Sequence, residues 1–190
     1  MAFWGTPMDS NSRDPKRKFR FKVEIQQLGQ ADGLVWYAKT VQKPTVNISA
    51  DTAHQFLGHT FKFPGSVTWD DIEITLVDPA DTDEDAAKRL LSIIQGAGYA
   101  FPETAAMNKT ISKGASVESL EKVVIYQLDG LGNTVERWSL HNPFINKVAF
   151  GDLSYEDDGL SEVTLGITFD WAEFEDPQGN RLYFDPPPLA

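Results

Sequence analysis

The sequence predicts a mainly β protein: an antiparallel β-barrel or sandwich with one flanking α-helix, at about residues 82–96, and extended N- and C-terminal arms. Three observations predict it. Many short segments alternate apolar and polar residues and are joined by Gly, Pro and Asp turns, without strand–helix–strand alternation. A single stretch carries helical apolar spacing. Both ends lack periodicity.

Residues 1–18 form the N-terminal arm, because Gly5, Pro7, Asp9-Ser10-Asn11-Ser12 and Asp14-Pro15 break any regular element. Phe3 and Trp4 mark it as an arm that docks, since burying such a ring contributes roughly 1.5–3 kcal/mol. The domain proper is expected at 19–175. Its first strand, 19–26, is apolar at odd positions and polar at even ones. Residues 34–41 read as its partner across a turn at 29–33, and 45–49 as a third strand. The stretch 51–60 reads as a long polar loop holding Phe56 and Leu57. A short strand at 60–63 closes on Pro64-Gly65, and a longer one follows at 67–77 with Ile72, Ile74 and Leu76 on one side.

Thr82-Asp83-Glu84-Asp85 supplies a cap and first-turn acids for the helix. Ala87, Leu90, Leu91 and Ile94 give it one apolar face, and Gly96 and Gly98 end it. Residues 99–119 read as an irregular insert, too polar for a core. Strands at 122–128 and 134–140 flank Asp129-Gly130-Leu131-Gly132-Asn133 as a hairpin. A strand at 144–150 and the clear alternation of 160–171 follow, and 176–190 is a C-terminal tail ending in Asp185-Pro186-Pro187-Pro188. In all, about eight or nine strands are expected. The segment 122–128 is apolar on both faces, which suggests that a neighbouring copy covers one of them.

Composition narrows the function. The chain has 190 residues, a net charge of −11 and no cysteine, which excludes a disulfide scaffold, a thiol nucleophile and a Cys-ligated metal. No apolar run approaches the roughly 18–20 residues of a membrane helix, so no membrane anchoring is expected, and the start is not expected to be a secretory signal. So acidic a chain is a poor binder of nucleic acid. The charge is uneven: residues 1–22 carry six bases against two acids, and 152–190 carry ten acids against Arg181. Solvated ends and head-to-tail attraction between copies both account for this asymmetry.

Residues that could carry chemistry are few. His54 and His59 are five apart, which does not suit a helical metal pair, so no metal site is expected. Neither a Gly-x-Ser-x-Gly elbow nor a phosphate-binding glycine loop occurs. Asp70-Asp71, Glu156-Asp157-Asp158 and Glu173 with Glu175 could be imagined as glycosidase carboxylates, yet adjacent acids at turns are usually solvated. No enzyme and no cofactor is expected. Lys16-Arg17-Lys18-Phe19-Arg20-Phe21-Lys22 interleaves bases with aromatics, as a nucleic-acid strand could, but it also reads as an ordinary strand with bases on its outer face.

A resemblance adds to this reading. His141-Asn142-Pro143-Phe144-Ile145-Asn146-Lys147-Val148, then Phe150-Gly151-Asp152-Leu153-Ser154-Tyr155, then Phe169-Asp170-Trp171-Ala172-Glu173 resemble the C-terminal signature of the tail tube proteins of contractile-tailed bacteriophages. Asp14-Pro15-Lys16-Arg17-Lys18-Phe19, Phe63-Pro64-Gly65 and Trp69-Asp70-Asp71-Ile72 fall in the order that family uses, so Pro143, Phe144, Phe150, Gly151, Asp170 and Trp171 are its signature residues here. The resemblance, fold-related to the Hcp-type secretion tubes, implies a structural subunit of six-membered rings stacked into a hollow tube. It implies sheath, baseplate and tail terminator proteins as partners, DNA passing without specific binding, and a place in the virion tail after assembly in the host cytoplasm. It also implies ring-to-ring contacts through the arm and an early loop, here Phe3, Trp4, Arg13, Lys16, Arg17, Lys18, His54, Phe56 and Leu57. A baseplate tube initiator, or the tube of an injection or type VI secretion machine, is the alternative within that class. A carbohydrate-binding β-sandwich is the alternative outside it.

Overall fold

Two antiparallel sheets face each other across one apolar core in the computed structural model, which describes residues 15–26, 34–35, 38–50, 52–80, 86–101, 110–156 and 158–183. In chain order the elements are β1 (Phe21–Gln26), β2 (Leu34–Val35), β3 (Ala38–Val41), β4 (Val46–Ile48), β5 (Thr52–Phe56), β6 (His59–Phe63), β7 (Val67–Trp69), β8 (Ile72–Val77), α1 (Ala86–Gly96), α2 (Lys113–Leu120), β9 (Lys122–Leu128), β10 (Thr134–His141), β11 (Phe144–Ala149), β12 (Glu162–Thr168) and β13 (Trp171–Glu175). The first sheet has the order β13-β10-β9-β1-β2 and the second β11-β12-β8-β3. The arrangement is a sandwich, not a closed barrel.

Period-two sequence sets which face is buried. In the first sheet Val23 and Ile25 stand opposite Ile125 and Val123, and Leu140 continues the row. In the second, Ile72, Ile74 and Leu76 stand beside Ile167, Leu165 and Val163. All eleven are essentially buried, each contributing roughly 1.5–3 kcal/mol. Helix α1 closes one flank with Ala86, Leu90 and Ile93.

Several expectations need correction. Among the described residues two helices are present, not one. Helix α2 begins within the supposed irregular insert and runs one residue past its end; Ser112 caps it, accepting from the Ala115 amide at 3.3 Å, and Ser116, Ser119 and Leu120 are its buried residues. Small serines let it pack closely without an apolar stripe, so no periodicity betrayed it. The start of the predicted helix, 82–85, and residues 102–109 lie outside the described residues.

The predicted strand 160–171 is two strands in different sheets. β12 ends at Thr168, Phe169 is buried, and β13 begins at Trp171 in the opposite sheet. The core-facing phase shifts by one residue at this corner, from Val163, Leu165, Ile167 and Phe169 to Ala172, and the shift is masked in the sequence because outward-facing Trp171 is itself apolar. Likewise 34–41 divides: β2 pairs with β1, whereas β3 pairs with β8 in the second sheet. The 67–77 strand divides at Asp70-Asp71 into β7 and β8, with Trp69 against Phe169 at a ring separation of 6.1 Å.

Covering β9 needs no second copy. Val124, on the outer face, is buried between Glu24 and Ser139 on adjacent strands. The long side chains around it are tied together: the Tyr126 hydroxyl donates to Glu24 at 2.7 Å, Lys22 lies 4.3 Å from the Tyr126 ring, and Arg137 pairs with Glu175 at 2.9 Å. Burial, with the bond to Glu24, pushes the Tyr126 hydroxyl up to about 12.

Candidate assembly surfaces

The segment expected to be a loop at 51–60 is part of a β-ribbon. β4 pairs with β7 (Val46 opposite Trp69, Ile48 opposite Val67), and β5 pairs with β6 (His54 opposite Phe61, Phe56 opposite His59). Both pairings share one register, and the interval between them is bridged by Ser49 N–H to Ser66 O at 2.9 Å and Gly65 N–H to Ser49 O at 2.6 Å. Opposed residues in an antiparallel pair lie on one face. One face therefore carries Val46, Ile48, His54, Phe56 and, across from them, Trp69, Val67, Phe63, Phe61 and His59. The other carries Asn47, Ser49, Gln55, Thr60, Lys62, Ser66 and Thr68.

The apolar face of this ribbon is unusually open. Phe56, Phe61, Phe63, Ile48 and Val67 are half or more exposed, and at the turn Leu57 is 83% exposed. The turn is tight: Leu57 and Gly58 both have positive φ (48° and 81°). His54 packs edge-on to Phe63 at 5.7 Å, so it is an aromatic of this face. Phe61, Phe63, Ile48 and Val67 were not among the sequence candidates. Their signal was present as period-two alternation on each side of Pro64-Gly65, hidden by reading residues 51–60 as a loop.

Of the arm candidates, Phe3, Trp4 and Arg13 lie outside the described residues. Lys16 forms an ion pair with Glu136, which also accepts from Lys43 at 2.7 Å and from the Trp138 indole at 2.5 Å. Burial alone would raise the Glu136 carboxyl; the hydrogen bonds from Lys16, Lys43 and Trp138 hold it down at about 2. Arg17 begins the turn before β1, and the buried Gln127 amide donates to the carbonyls of Arg17 and Arg20, both at 2.7 Å. Lys18 is exposed beside them. The root of the arm is thus clamped to the domain by its own chain.

The signature residues build the corner where the chain changes sheets. Asp170 accepts from Asn142 at 2.8 Å and from Lys113 at 2.6 and 2.8 Å, and its amide bonds the His141 carbonyl at 3.0 Å. These bonds to Lys113 and Asn142 hold its carboxyl below the usual range. Two crossings, β10 to β11 through Asn142-Pro143 and β12 to β13 through Phe169-Asp170, are thereby tied to each other and to the start of α2. Trp171 stacks on His141 at 4.9 Å, with the rings 7° from parallel. Gly151 has φ +75°, and a Cβ there would lie 2.6 Å from the Glu162 carbonyl oxygen. Phe144 opens β11, and Phe150, partly exposed just beyond it, lines a groove beside α1 and α2. Most of the signature is fold architecture.

The edges of the second sheet complete the picture. β3 and β11 form its two edges, and each carries a register irregularity, between Ala38 and Thr40 and between Ile145 and Lys147. Lys39 is held by Glu162 at 2.5 Å and Lys147 by Glu73 at 3.4 Å, all on the face turned from the core. The C-terminal segment turns at Asp176–Asn180 and returns along β13 through an Arg181–Glu175 bridge. No group of three metal-ligating side chains occurs among the described residues.

No protein-family model matches the chain, and no curated protein matches it in sequence. Solved structures match its fold. A chain of the anti-feeding prophage tube-terminating cap is 14% identical, with a TM-score of 0.59 over 90% of this chain and 97% of that one. A chain of the six-fold symmetrised anti-feeding prophage baseplate is 12% identical, with a TM-score of 0.58 over 87% and 99%. A chain of the sheath/tube terminator of the PVC extracellular contractile injection system, in its extended state, is 16% identical, with a TM-score of 0.54 over 86% and 98%. The chain shares the fold of these three chains.

Proposed function

We propose that this chain is a tube subunit of a phage tail or related contractile machine, assembling into six-membered rings that stack as a hollow conduit. The observation that carries this reading is the β-ribbon with one exposed apolar face, too large a greasy surface to stand alone in water. The ribbon would dock on a neighbouring ring beside the N-terminal arm, with His54, Phe56, Leu57, Phe61 and Phe63 in the contact. Within a ring, β3 of one copy would join β11 of the next. Strand directions in the second sheet run up, down, up, down, so this junction is antiparallel, and closing the ring removes both edges.

The second sheet would then wall the bore. Its outer face carries Thr75 and Thr164, with Glu73 and Glu162 held by Lys147 and Lys39. Such a wall presents no row of unpaired bases to detain DNA as it passes. Sheath, baseplate and terminator proteins would be the partners. A cap or baseplate ring is a second reading, favoured by the matches to those assemblies; it differs in ending or starting a tube instead of extending one.

Negative-stain microscopy of the purified protein separates these. Long tubes support the tube subunit, and single rings support the cap or baseplate reading. Small monodisperse particles at every concentration overturn both. Removing residues 1–14, which leaves Lys16 in place, is expected to preserve rings and abolish stacking.

A further inference from the structure

The two flanks of the sandwich are unlike. At the flank where β1 and β9 of the first sheet approach β3 of the second, a groove of about 750 Å³ stands open between the sheets, lined by Phe21, Val41, Ile125 and Tyr126 with Lys18 and Phe19 at its mouth. Phe19 is 74% exposed. Of the nearby lysines, Lys39 and Lys43 are tied to Glu162 and Glu136, while Lys18 makes no ion pair with another described residue. At the opposite flank, where α2 packs on β11, a smaller groove of about 380 Å³ is lined by Ile94, Ile111, Phe144 and Phe150. Ile111 is exposed beside it, and Glu118 on α2 and Glu121 at its C-cap stand exposed without an ion-pair partner among the described residues. Lys147 also reaches that groove but is directed to Glu73.

We propose that the open flank of one copy receives the helical flank of a second copy, in a head-to-tail contact. Phe19 enters the groove between α1, α2 and β11, and Lys18 faces Glu118 and Glu121. Three facts single out a second copy as the occupant. Each flank exposes apolar surface that the other could cover. Their unpaired charges are opposite. The edge strands β3 and β11 belong to these same two flanks, so extending the second sheet from copy to copy brings them together. The contact is heterologous, which generates rings rather than pairs. The proposal rests on the ring reading above and assigns the residues that fix its lateral contact, which strand pairing alone leaves unspecific.

The chain has no cysteine, so introduced ones report cleanly. Phe19→Cys with Ile111→Cys in one chain is expected to give a ladder of covalent multimers on oxidation, whereas mixing the two single variants gives only a dimer. Lys18→Glu is expected to raise several-fold the concentration at which rings appear, and Glu118→Lys with Glu121→Lys to restore it. If rings form but neither the ladder nor the rescue is seen, the flank assignment is wrong and the ring reading survives. A ladder or dimer from Phe19→Cys alone also overturns it, since that contact would be symmetric. If no species larger than a monomer forms, both fall.

Discussion

Replacing Glu136 by Gln isolates the clamp on the root of the N-terminal arm. The amide keeps the volume and can still accept from the Trp138 indole, but it loses the charge that Lys16 and Lys43 share. A carboxyl held at about 2 instead of 4.5 is worth about 3 kcal/mol at 1.36 kcal/mol per unit of pKa. The lysines are about half exposed, so solvent screens part of this, and about 2 kcal/mol is expected at pH 7. Because the folded-state pKa is depressed, the stabilisation is fully present above 4.5 and is lost as pH falls toward 2. At pH 3 less than half of it should remain. Urea denaturation of both proteins at pH 7 and pH 3, followed by tryptophan fluorescence, measures the difference at each pH. A gap that stays constant between the two would refute the charge-based account and leave shape as the cause.

Three further outcomes are expected. Phe61→Ser with Phe63→Ser removes rings outside the core, so the melting temperature should move by less than about 2 °C while stacked assemblies disappear by microscopy; tubes of normal length would show that the ribbon does not dock. Gly151→Ala sets a methyl against the Glu162 carbonyl at a positive φ and should cost about 1–3 kcal/mol, lowering the melting temperature by about 3–10 °C; an unchanged melt would mean the loop relaxes freely. Asp170→Asn keeps an acceptor for Asn142 but loses the charge facing Lys113, for a cost below about 1 kcal/mol that should vanish in 1 M salt. A salt-independent loss would place the effect in the corner's geometry.

How much of this was legible depended on which period the chain obeyed and for how long. Val23, Ile25, Ile72, Ile74, Leu76, Val163, Leu165 and Ile167 announced themselves as a buried set because each lies in an uninterrupted alternation. The corner at Phe169-Asp170 stayed invisible because Trp171 extends the apolar alternation in the sequence, although it faces outward and Ala172 takes the core position. Helix α2 was silent because Ser116 and Ser119 bury by being small, not by being apolar. Glu136 could not be picked out, since its partners Lys16 and Lys43 lie far away in sequence. Among the candidate contact residues, Phe56 and Leu57 stand out as exceptions in a polar stretch, yet the face that His54 and Phe56 share with Phe61 and Phe63 needed the strand pairing to become visible.

The irregularities in β3 and β11 bear on how growth begins. A smooth, bare strand edge accepts any other strand, which is how unwanted fibres start. Here each rim has a register irregularity beside a tethered lysine, so a chance meeting of two free molecules would pair these rims poorly. A surface already shaped to receive that irregularity has no such difficulty. Formation should therefore show a delay that vanishes when a small amount of preformed assembly is added, keeping construction confined to places where it has been started on purpose.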